Sequence, residues 1–165
     1  MIKRIIFTFC LFTSMISWGQ DSVAEYLSDL SGKRGYTTIE FTPFMFDLIR
    51  DCSDQEDISE EQDLFNNIES MLMVTTKNRE LVPKVISLSK SDRYQLMMDM
   101  YDEDQSHLIF YVKKKGKKVS DFLMLVDGEG DLLILKLKCD LTMKQLKTVT
   151  RQISVRGVNK FEIKL

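Results

Sequence analysis

The sequence predicts a single α+β domain: an antiparallel sheet, built mostly from a four-strand meander with additional N-terminal strands, with helices packed on one face. Two observations carry this. Between Tyr94 and Asp140, four strand-like apolar segments are separated by turn signals at hairpin spacing. On either side of that region, segments such as Val23–Leu30 and Leu146–Ile153 repeat apolar residues at helical intervals instead.

The first 19 residues read as an export signal and stand outside the domain. Lys3 and Arg4 make a basic start, Ile5–Ile16 is almost wholly apolar, and Ser17-Trp18-Gly19 places small residues where a signal peptidase inspects the chain. The apolar run is shorter than the about 20 residues needed to cross hydrocarbon. No stable membrane span is therefore expected after cleavage. Cys10 lies inside the run rather than at the cleavage point, so no lipid anchor is expected either. The mature domain is read as residues 20–165, exported to the periplasm or beyond the cell.

Within the domain, Val23, Tyr26, Leu27 and Leu30 recur at helical spacing, with Gly32 and Gly35 closing the turn. Tyr36–Phe41 carries Thr37, Thr38 and Ile39, which favour a strand. Thr42-Pro43 opens a helix, threonine as cap and proline at the first helical position, with Met45, Leu48, Ile49 and Cys52 sharing one face. Seven acidic residues between Asp51 and Asp63 make a solvated stretch. Ile68–Thr75 alternates as a second strand, and a helix follows from about Glu80 to Lys90 with Pro83 in its first turn.

The meander strands are marked by Leu96, Met98 and Met100, by Leu108–Val112, by Val119–Val126 and by Leu132–Cys139. The tip Lys113–Lys118 and the turn Asp127–Gly130 join them. Thr142-Met143-Lys144-Gln145 matches a capping box, with Leu141 and Leu146 placed as a hydrophobic staple. Gly157 can end that helix, and Val158–Leu165 can add a last strand.

Removing the first 19 of 165 residues leaves 146, one ordinary domain, and takes two of the 23 basic residues with it. The remaining 21 against 25 acidic residues give a mature charge of −4, no electrostatic match for nucleic acid or anionic lipid. The only tryptophan leaves too, and so does Cys10. Cys52 and Cys139 remain in a compartment where disulfides persist. They are either a bridge or two small buried hydrophobes.

Chemistry-bearing patterns are sparse. The only histidine, His107, stands at a strand start with no partner at a testable spacing. Asp127-Gly128-Glu129-Gly130-Asp131 is followed by apolar residues where a calcium loop needs further ligands, so it reads as a turn. The lysine-rich tip has no interleaved aromatic residues, which counts against single-stranded nucleic acid. Catalytic serine, phosphate-loop and zinc-protease signatures are absent. The expectation is a chain that is not an enzyme, with no cofactor and no metal.

The segment Phe44–Ile49, the run Leu72-Met73-Val74-Thr75-Thr76, Phe110-Tyr111-Val112-Lys113-Lys114 and the stretch Leu133–Leu146 together resemble the Bacteroidota envelope proteins grouped as domain of unknown function 4252. The resemblance covers about Val23–Val149 and implies a fold and an envelope location, with no catalytic residues. Members commonly carry Gly-Asp before the final helix, where this chain has Cys139-Asp140, so a bridge to Cys52 would belong to a subgroup. The functional expectation is an exported, non-catalytic module that binds an envelope protein or component. The alternative is small-ligand or lipid binding in a cleft between sheet and helices, where Met71, Met73, Met97 and Phe122 could line an apolar pocket.

Overall fold

The computed structural model describes residues 22–52, 64–103, 106–128 and 130–152, except the side chains of Cys52, Arg151 and Gln152. The segment read as an export signal, the acidic stretch from Ser53 to Asp63, Ile153, Gly157 and the strand expected over Val158–Leu165 lie outside the described residues. In chain order the elements are α1 (Ser22–Ser28), β1 (Tyr36–Phe41), α2 (Pro43–Cys52), β2 (Ile68–Thr76), α3 (Leu81–Ser91), β3 (Gln95–Tyr101), β4 (His107–Lys115), β5 (Lys118–Asp127), β6 (Leu132–Leu141) and α4 (Met143–Gln152). The six strands form one sheet in the order β1-β2-β6-β5-β4-β3. Every neighbouring pair is antiparallel.

The helices lie on both faces of this sheet, which corrects the expectation of one. On the first face Phe46 of α2 and Leu146 and Val149 of α4 pack over Leu108, Phe110, Phe122, Met124, Leu135 and Leu137. On the second, Val23 and Leu27 of α1 and Leu81 and Val85 of α3 cover Ile109, Tyr111, Leu123, Leu125, Leu132 and Ile134. The physical reason lies in the central strands. Leu108–Val112, Phe122–Val126 and Leu132–Leu135 are buried without interruption. Strands apolar at both parities need cover on both sides, as in sheets with two helical layers.

Bulges explain a second difference. The pairing of β3 with β4 shifts between Leu96 and Met98, so two residues of β3 stand opposite one of β4. Met97, Met98 and Met100 then all pack against the first face, whereas Leu96 is exposed rather than part of a shared apolar row. A similar shift between Val119 and Asp121 keeps Val119 and Phe122 on one face despite their odd spacing.

The capping box forms as the residues dictate. The Gln145 backbone N–H donates to Thr142 Oγ1 at 3.2 Å, and the Thr142 N–H donates to Gln145 Oε1 at 2.9 Å. Pro43 is the first residue of α2, and Pro83 sits in the first turn of α3, where no intrahelical N–H is lost. The short helix α1 is held from outside. The Asp92 carboxylate, just beyond α3, accepts the Val23 N–H at 2.8 Å and also the Ser22 hydroxyl.

Candidate functional site

The most conspicuous unsatisfied surface is the outer side of α2. The helix packs over β2 through Phe46, which is buried beside Phe41 with ring centroids 6.2 Å apart, and through partly buried Ile49. Phe44, Met45 and Leu48 point the other way, and Phe44 is 69% exposed. Of the apolar residues that share a face in the sequence, Met45 and Leu48 are exposed and Ile49 packs inward, beside buried Phe46. Ile39 of β1 and Phe65 are exposed as well, and both belong to the chain that flanks α2 at its two ends. Large apolar side chains grouped on one surface element each forfeit burial unless another surface covers them.

The four residues read as a pocket lining share the first face but do not converge. Met71 lies opposite Leu137, which lies opposite Phe122, and Met73 lies opposite Leu135. Met71 and Met73 are on β2, while Met97 is on β3 at the far edge, with β6, β5 and β4 between them. The three methionines are partly buried, whereas Phe122 is completely buried and meets Phe110 edge-on at 5.3 Å between ring centroids. A cleft of about 260 Å³ reaches Met71, but its other walls are Leu72, Ser70, Lys136, Lys138 and the outer residues of α1.

Three polar arrangements were not legible from sequence spacing. His107 Nε2 lies 2.6 Å from Asp99 Oδ1, and the Tyr101 ring stacks on the imidazole at 3.8 Å. Lys136, only 7% exposed, reaches Asp121 Oδ1 at 3.6 Å. Lys113, at the start of the lysine-rich tip, lies over the Tyr94 ring at 4.3 Å. Cross-strand register is what unites each set: Tyr101 opposes His107, and Leu123, two residues from Asp121, opposes Lys136. The carboxylate of Asp99 orients the imidazole, and burial, with a smaller contribution from Asp99, raises the Tyr111 hydroxyl pKa above its ordinary value. Among the described residues no group of three or more His, Cys, Asp or Glu side chains is placed to hold a metal.

Cys139 is a free thiol here, buried, donating to the Val119 carbonyl at 3.4 Å. Cys52 ends α2, and its side chain is outside the described residues. Burial pushes the Cys139 thiol from an ordinary value of 9.0 up to about 12, so thiolate chemistry at neutral pH is suppressed. A raised thiol pKa leaves stability intact below the unfolded value and removes it as pH climbs toward the folded one, because the unfolded chain ionises first. Melting temperature should therefore fall across the window from 9.0 to about 12, and less steeply in Cys139→Ala. Equal slopes for the two proteins would contradict this assignment.

A family model matches residues 29–149, which spans all six strands, α2, α3 and most of α4. The chain belongs to the DUF4252 family, a domain of unknown function. The DUF4252 match contains the exposed face of α2, the Asp99–His107 pair and the buried Lys136, whereas α1 precedes it. No curated protein matches the chain. Among the described residues no helix is long and apolar enough to cross a membrane.

Proposed function

We propose that this DUF4252 chain is an exported, non-enzymatic module of a Bacteroidota-type envelope that docks a protein partner through the outer face of α2. The observation that carries the reading is the exposed group Phe44, Met45 and Leu48 on one helix. An amphipathic helix with apolar residues on both sides is built to be covered twice, once by its own sheet and once by another surface. The partner's contact surface is accordingly apolar. The signal-like start of the chain supports an envelope location.

The test places a photo-crosslinking amino acid at position 44 in the exporting cell. A discrete protein adduct is expected, lost when Leu48→Asp is added, and absent when the probe stands at exposed Lys90 on α3. Adducts that survive Leu48→Asp, or form equally at position 90, would refute the docking face. The alternative of small-ligand or lipid binding has one observation in its favour, the cleft of about 260 Å³ between α1 and the sheet. Its charged walls, Glu25, Glu40, Lys136 and Lys138, suit a polar head group better than an alkyl chain.

A further inference from the structure

A second recess, independent of α2, lies where the turn before β1 meets the end of β2. It measures about 570 Å³, within the usual range for small-molecule sites. Its floor is fixed by hydrogen bonds. Thr76, buried to 4% exposure, donates to the Gly35 carbonyl at 2.7 Å and accepts the Asn78 N–H at 3.1 Å. The Asn78 amide then donates to the Tyr36 hydroxyl at 3.0 Å, and its oxygen accepts the Glu80 N–H at 3.0 Å. Gly35, at φ +86°, makes the turn that an L side chain would strain.

The walls carry a specific mixture of chemistry. Arg34 and Lys77 both line the recess, and neither has an acidic partner among the described residues. Thr37 and Thr75, opposite each other in the β1–β2 register, add two hydroxyls, while the Tyr36 ring packs toward the second-face core. Asp131 completes the lining. That carboxylate repels a bare polyanion yet accepts hydrogen bonds from ligand hydroxyls.

We propose that this recess binds an acidic sugar, with its single anionic group against Arg34 and Lys77 and its hydroxyls shared among Thr37, Thr75 and Asp131. The two cations supply charge-assisted bonds, the polar rim replaces ring hydration, and the fixed floor limits the ordering cost. A lipid is disfavoured by the same lining, since charged and hydroxyl groups lie where acyl chains would need apolar contact.

The experiment titrates the isotope-labelled chain with glucuronate and, separately, with glucose 6-phosphate, at constant ionic strength, following backbone amide shifts. Saturable shifts confined to residues 34–37 and 75–78 are expected for at least one of the two, and which one saturates identifies carboxylate or phosphate as the anionic group. Arg34→Ala and Lys77→Ala should each weaken binding about tenfold, the loss of one charged hydrogen bond, while leaving the amide spectrum folded. Glucose and inorganic phosphate serve as controls. Failure of both acidic sugars to saturate at millimolar concentration overturns the proposal, as does inorganic phosphate binding equally well or unchanged affinity in both variants. Because α2 takes no part, the result is read separately from the crosslinking at position 44.

Discussion

Replacing Phe122 by alanine should destabilise the domain by about 3–5 kcal/mol, the cost of removing a fully buried aromatic ring and leaving a cavity. Phe122 has no exposed surface, lies in the middle of β5 between β4 and β6, and meets the Phe110 ring edge-on. Neither neighbour can collapse into the space, because both flanking strands are held by ladders on two sides. Urea denaturation followed by circular dichroism measures the loss. Met73→Ala, on the same face but only partly buried at β2, should cost less than half as much, since solvent already reaches its side chain. Equal losses for the two would show that the first-face core is not centred on β5.

Asp121→Ala should cost about 3 kcal/mol, a penalty set by the charge left behind rather than by the lost contact. Its partner Lys136 is one of the few charged side chains in the interior, 7% exposed, and the carboxylate lies 3.6 Å from its ammonium. Without Asp121 that ammonium stays largely enclosed on the face that α1 covers, with the carboxylate 3.6 Å away gone. Lys136→Met combined with Asp121→Leu should recover most of the stability, because apolar side chains of similar length suit a site already walled by Leu72 and Leu123. Denaturant midpoints of the wild type, the single variant and the double variant decide the matter. A double variant no more stable than Asp121→Ala would mean that the pair holds the strands in register by some means other than charge compensation.

Element identity was written plainly in the chain, and layering was not. Tyr36–Phe41 is β1 as read, the start of α2 at Pro43 follows from the proline, and the Thr142–Gln145 box produces its two reciprocal hydrogen bonds. These features are local, so sequence spacing alone dictates them. The second helical layer depends on both parities of β4, β5 and β6 being buried at once, and a continuous apolar run does not say what covers it. The exposure of Met45 and Leu48 was hidden for a related reason. Helical periodicity defines an apolar stripe but not which side of it meets the sheet, and Phe44 and Phe46 straddle the helix.

Site chemistry was less legible still. Asp99 and His107 are eight residues apart across a turn, and only the register of β3 against β4 brings them to 2.6 Å. No spacing marks Lys136 for burial; it follows from its place on the side of β6 that α1 covers, beside Ala24, Glu25 and Ser28. The sugar-sized recess joins residues 34–37 to residues 75–78 and to Asp131, three segments that only the β1-β2-β6 order makes neighbours.

That same strand order sets the timetable of assembly. Strands β3 to β6 can form hairpin by hairpin as the chain lengthens, each new strand meeting its predecessor. Strand β2 cannot be completed so early, since one of its two partners is β6, the last strand among the described residues. A ribosome or a translocation channel delivers β2 first, and its inner edge, with Met71, Met73 and Val74, must wait unpaired until the meander arrives. The vulnerable interval in this protein's life is therefore its birth. A holding chaperone would protect the chain over that interval, and slowing the synthesis of β6 should raise aggregation more than slowing the synthesis of α4.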